Sequence, residues 1–148
     1  MDTLAKQFHD LPVDGRRRVH LFLGETALSK WRAYCSVHRR NDYVETVCGT
    51  HQSVDIELPA DACQAAHEGR DSKNVAARYL EPIAAMQGDD LTFPAPVEFA
   101  YYAMYNLFNK YAARKSVEDW LIVNQALSSE VDVSKRVATL EAAIQAAT

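Results

Sequence analysis

Between Pro96 and Lys115 six aromatic residues (Phe99, Tyr101, Tyr102, Tyr105, Phe108 and Tyr111) crowd into one stretch, and no charge intervenes between Glu98 and Lys110. Val97, Tyr101, Met104, Phe108 and Tyr111 recur at the 4-3-4-3 spacing that places them on one side of a helix. Phe99 and Leu107 fall on other sides, so this helix is apolar nearly all round. A helix of that kind is stable only where neighbours wrap it. The spacing therefore predicts a central post, over Val97–Ala113, inside a helical domain.

The rest of the chain supplies candidates to wrap it. Leu4, Phe8 and Leu11 predict a short helix ended by Pro12. A second starts near Asp14 with Val19, Phe22 and Leu23, and Gly24 is expected to break or bend it. Ala27, Leu28, Trp31 and Cys35 continue its stripe as far as the cations His38, Arg39 and Arg40, which suit a helix C-terminus. The stretch from Tyr43 to Leu58 is ambiguous: its β-branched residues and Gly49-Thr50 fit a hairpin, while Val44, Val47, Cys48 and His51 share a helix face. We read it as helix to about Gln52, followed by an extended link to Pro59.

Pro59 opens the next helix and Gly69 ends it. Asp71 or Ser72 caps another, with Val75, Tyr79, Ile83 and Met86 on one face, a kink at Pro82 and an end at Gly88. After the aromatic helix, Ser116-Val117-Glu118-Asp119 reads as a capping box. It opens a helix through Trp120, Leu121, Val123 and Leu127. Asp132 or Ser134 opens the last, striped by Val133, Val137, Leu140 and Ile144. The expectation is an all-α protein, an irregular bundle of about seven helices around the aromatic post, forming a single domain over residues 1–148.

Composition narrows the function classes. With 48% hydrophobic and 24% charged residues the chain reads as an ordinary globular protein. The apolar run after Arg16-Arg17-Arg18 is too short for an export signal and gives way at Gly24-Glu25, and nothing approaches a membrane span. Three cysteines without a tight pairing motif agree with a reducing compartment, so a cytoplasmic location is expected. Charge is uneven: residues 1–40 hold eight Lys/Arg against four Asp/Glu, whereas residues 41–100 hold three against eleven. That acidic middle argues against direct nucleic-acid binding and suits a basic partner.

Chemistry-bearing motifs are sparse. Cys48-x-x-His51 and Cys63-x-x-x-His67 offer zinc-type ligands, but their order is not that of the common finger modules, and no metal or other cofactor is expected. Glu118-Asp119 and Asp89-Asp90 read as helix-start and loop carboxylates rather than a catalytic pair. No serine or cysteine sits in a nucleophile motif, and no catalytic residue is assigned. Arg16-Arg17-Arg18 suits a solvated turn, or contact with a phosphate, RNA or an acidic protein. Asn106, Asn109, Asn124 and Gln125 suit an internal network that sets helix register; the alternative is a polar-aromatic surface shared by Tyr102, Tyr105 and Asn109 on one flank of the aromatic helix.

The runs Pro94–Tyr111 (PAPVEFAYYAMYNLFNKY) and Ser116–Ser129 (SVEDWLIVNQALSS) resemble the small all-α immunity proteins of bacterial polymorphic-toxin systems. The resemblance implies a cytoplasmic inhibitor, not an enzyme, that binds and neutralises a cognate toxin domain, and it assigns no residue a role. Charge and aromatic placement nominate Asp55, Glu57, Glu68, Asp89 and Asp90, then Tyr102 and Tyr105, as partner-binding residues. Competing readings are a small helical enzyme or metal-binding protein with an unrecognised site, and an oligomeric scaffold subunit.

Overall fold

The computed structural model describes residues 1–38, 44–47, 50–53, 57–77 and 93–148. The elements run α1 (Asp2–His9), α2 (Val13–His38), β1 (Val44–Val47), β2 (Thr50–Ser53), α3 (Leu58–Glu68), α4 (described over 73–77), α5 (Ala95–Tyr111), α6 (Asp119–Ser128) and α7 (Val133–Ala147). The architecture is an all-α bundle with one small hairpin. Among the described residues no helix is long and apolar enough to cross a membrane.

The aromatic helix α5 is the post that its sequence predicts. It packs against α2, α3 and α6, and it buries Ala100, Tyr101, Ala103, Met104, Leu107 and Phe108. Tyr101 meets Trp31 of α2 with ring centroids 5.1 Å apart, and Trp31 meets Phe93 at 5.2 Å. Tilted pairs at such separations suit the ring quadrupoles and add to the burial of large apolar faces.

Two ion pairs lay α6 alongside α2 in the same direction. Arg16 pairs with Asp119 at the start of α6, and Lys30 pairs with Glu130 just beyond its end. α7 then returns antiparallel to α2, so that its last turn reaches α1. Asp132 caps α7, its carboxylate accepting from the Ser134 backbone N–H at 3.0 Å. Gly69, at φ +70°, closes α3 in the left-handed conformation that glycine adopts without steric cost.

Four sequence expectations are corrected. The stretch read as helix to Gln52 is an antiparallel β1–β2 hairpin in the register Val44↔Ser53, Glu45↔Gln52, Thr46↔His51 and Val47↔Thr50. The β-branched residues Val44, Thr46, Val47 and Thr50 outweigh the short helical pattern there. α6 starts at Asp119, with Glu118 in the cap position and no side-chain cap bond, so Ser116 closes no capping box. The Asp119 carboxylate turns instead toward Arg16 and Lys110. Val133, expected on the buried stripe of α7, is exposed. The cap of α4 agrees with expectation, Ser72 Oγ accepting from Val75 N–H at 3.3 Å. Tyr79, the Pro82 kink, Ile83, Met86 and the Gly88 end lie outside the described residues.

The fourth correction is at Gly24, which does not break α2: one helix of 26 residues runs through it. Glycine is required there because α5 approaches closely, and a Cβ would lie 2.6 Å from Leu107 Cδ2. Leu107 is buried, so its methyl has little room to swing away. Gly24→Ala is therefore expected to destabilise by about 1–3 kcal/mol through overpacking, exceeding the roughly 0.5–1 kcal/mol gained in helix propensity. A urea titration checks this, and a variant more stable than the parent would contradict the close contact.

Candidate functional site

Among the described residues, a dense grouping of titratable side chains lies where α2, α5 and α6 meet, and its centre is His20. The stripe of α2 that carries Leu23 and Ala27 into the core also carries His20 inward, with none of its surface exposed. Its Nε2 lies 2.8 Å from the backbone carbonyl of Asp119 and its Nδ1 lies 2.5 Å from the Tyr111 hydroxyl. A carbonyl only accepts, so Nε2 carries the proton and Nδ1 accepts from the tyrosine. Burial pushes the His20 pKa down to about 4, overriding the opposite pull of Asp119. The ring is therefore neutral near pH 7. Burial, with the Asp119 charge, also raises the Tyr111 hydroxyl well above its ordinary value.

Around this pair sits a half-buried ion cluster. The Asp119 carboxylate accepts from Lys110 Nζ at 2.8 Å and from Arg16 Nε at 3.0 Å. Burial alone would raise its pKa, but the hydrogen bond and charge of Lys110, aided by Arg16, hold it below the usual value. Lys110 also donates to the Val117 carbonyl at 2.7 Å, and Arg16 to the Leu11 carbonyl at 2.5 Å. Arg17 donates to the carbonyls of Ala66 and His67 at the end of α3, where a cation complements the helix dipole. Of the arginine run only Arg18 is exposed, while Arg16 and Arg17 are half-buried. The solvated turn expected for that run is thus corrected at Arg16 and Arg17, whose guanidinium groups hold α1, α3 and α6 together.

The chemical consequence follows from these partners. A general base needs a lone pair facing a substrate. The acceptor nitrogen of His20 faces a phenol in the interior, and the Asp119 carboxylate is held by two cations. The grouping is a structural joint.

The nominated surface residues are scattered. Asp55, Asp89 and Asp90 lie outside the described residues. Glu57, at the start of α3, is exposed and 3.7 Å from Arg32. Glu68, in the last turn of the same helix, is exposed and accepts from Gln64 at 2.8 Å. About 16 Å of helix separates these two carboxylates, so they do not converge. Glu68 instead lines an open groove of about 340 Å³ between α3 and α4, with Asp61, Asp71 and Arg70. Tyr102 and Tyr105 are half-buried against the core, and the Tyr102 hydroxyl donates to Glu98 at 2.8 Å.

Of the zinc-type residues, Cys63 is buried against α2 and its thiol is pushed up to about 12 by burial, whereas His67 is exposed. Those two side chains do not share an environment. Cys48 and the side chain of His51 lie outside the described residues. Among the described residues no group of three or more His, Cys, Asp or Glu is placed to hold a metal.

The amide network agrees with the register reading at one pair: Asn106 donates to Gln125 at 2.8 Å, tying α5 to α6, while Asn124 is exposed. What the sequence reading missed was the joint itself. Its signal was present: His20 lies four residues after Arg16 and three before Leu23, on the core-facing side of α2. The shallow groove between α1 and α7, walled by the two ends of the chain, carried no such signal. Comparison with known proteins finds no matching family model, no matching curated protein and no matching solved structure.

Proposed function

We propose that this chain is a cytoplasmic immunity protein, not an enzyme, which binds a cognate bacterial toxin domain and neutralises it by occupying its surface. One observation carries the reading. The titratable groups drawn inward at the α2–α5–α6 junction are taken up by internal partners, His20 by Tyr111 and Asp119, and Asp119 by Arg16 and Lys110. Such a network supports a rigid, preformed surface, which lowers the entropic cost of association. The acidic middle of the sequence favours a basic target, and the resemblance of the Pro94–Tyr111 and Ser116–Ser129 runs to immunity proteins points the same way. Glu57 and Glu68, both exposed, are the described carboxylates nominated for the encounter, and Tyr102 and Tyr105, half-buried on α5, are the nominated aromatic anchors.

Co-expression with the toxin domain encoded beside it tests the proposal. The expected result is protection of the cells and a stoichiometric complex; failure of both rejects it. Glu57→Lys with Glu68→Lys is expected to slow association and flatten its salt dependence while leaving dissociation nearly unchanged, because exposed rim charges act mainly on encounter. Stopped-flow mixing at two ionic strengths reads both effects.

A further inference from the structure

α1 is lightly anchored. It has eight residues and buries two of them, Leu4 and Phe8, where α3 buries six and α5 seven. Leu4 lies against α7 near Ile144. Phe8 is fully buried, its ring centroid 5.4 Å from His20 and 5.8 Å from Trp120. The polar grip is Arg16, which donates to the carbonyls of His9 and Leu11 while it pairs with Asp119. One of the two apolar anchors and the arginine grip therefore both end on the His20 joint. Eight residues hold little helical structure alone, so α1 comes away and melts as one small unit once it undocks.

We propose that α1 is an acid-released latch, shut over neutral His20 and undocking, with the rest of the bundle intact, when that imidazole takes up a proton. Both ring nitrogens are committed in the neutral form, Nε2–H to the Asp119 carbonyl and Nδ1 to the Tyr111 hydroxyl. A protonated Nδ1 no longer accepts from the phenol. The charges acting on the ring are Arg16 on its own helix, Lys110 from α5 and Asp119 from α6. Asp119 is already shared by both cations. Arg17 stands over the Tyr111 ring, and α1 brings only Phe8 against the imidazole, with His9 beyond it beside Trp120. A new cation there needs water, and lifting Phe8 admits it. Burial holds the docked ring down to about 4, and hydration returns it toward its ordinary 6.5. The released form binds more protons between those values, so docking is at full strength above about pH 6.5 and weakens as the pH falls. From pH 7.5 to pH 5 the ratio of released to docked α1 rises by up to about thirtyfold. Release uncovers apolar surface at Trp120 and Ile144. None of this depends on the proposed function.

Hydrogen exchange of the full chain, read as protection relative to intrinsic rates at several low urea concentrations, tests the latch. Amides of α1 are expected to exchange through an opening that scarcely responds to urea, because little surface is exposed, yet grows by up to about thirtyfold between pH 7.5 and pH 5. Amides of α5 are expected to respond strongly to urea, as global unfolding requires. In His20→Gln the pH response of α1 should vanish. Should that variant not fold, Tyr111→Phe serves: it removes the hydrogen bond that favours the neutral ring, so the pH response should shrink. A urea dependence at α1 equal to that of α5, no pH response at α1, or an undiminished response in the folded variant would each overturn the proposal.

Discussion

Phe108→Ala is expected to lower the unfolding free energy by about 3–5 kcal/mol, the range for removing an aromatic ring from a packed interior. Phe108 is only 1% exposed on α5, the helix around which α2, α3 and α6 assemble. Three elements would have to move inward to fill the space, and each is tied elsewhere: α2 and α6 by the Arg16–Asp119 and Lys30–Glu130 pairs, α3 by Arg17 on its last carbonyls. The cavity therefore persists, and its cost adds to the lost transfer free energy. Phe99 on the same helix is a built-in control. It is 39% exposed, and truncating it is expected to cost under about 1 kcal/mol. Denaturant titrations of the two variants at a common slope read the contrast. Equal losses would mean that α5 is not wrapped as described.

Local patterns made most of the helices legible, because each carries its own periodicity and punctuation. The α5 stripe, Gly69 after α3 and Asp132 before α7 are read within a few residues of the event they control. Gly24 was misread for the opposite reason. Its role is set by Leu107, distant in sequence, and a glycine that admits a crossing helix looks in one dimension like a glycine that breaks one. Asp119 was misread in the same way: its position in a helix-start motif was visible, but Arg16 and Lys110 arrive from other elements and redirect its carboxylate. The hairpin was a contest of local signals. Four-residue strands give too short a pattern for periodicity to decide, and β-branching decided it. Candidate interaction surfaces were the least legible. Glu57 and Glu68 look adjacent in an acidic segment, yet they stand at opposite ends of α3.

The His20 joint should make the fold acid-sensitive in a defined window. In the unfolded chain His20 takes up a proton near its ordinary pKa of 6.5, whereas in the folded protein it does so only near about 4. Between those values the unfolded state binds more protons, so stability is fully present above about pH 6.5 and declines as the pH falls through the window. The loss is about 2 kcal/mol by pH 5 and about 3 kcal/mol once the folded-state pKa is passed. The structural reason is that a protonated Nδ1 can no longer accept from Tyr111, and the new charge lies buried near Arg16 and Lys110. Asp119, whose pKa is lowered in the fold, adds a further loss at still lower pH as its carboxylate protonates. Urea midpoints measured from pH 7.5 down to pH 4, for the parent and for His20→Gln, isolate the effect. Glutamine stays neutral while keeping a donor and an acceptor, and the other titrating groups are common to both proteins. The parent curve should fall away from the variant curve below about pH 6.5. Parallel curves would show that His20 titrates alike in both states, and that its burial between Tyr111 and the Asp119 carbonyl does not hold in solution.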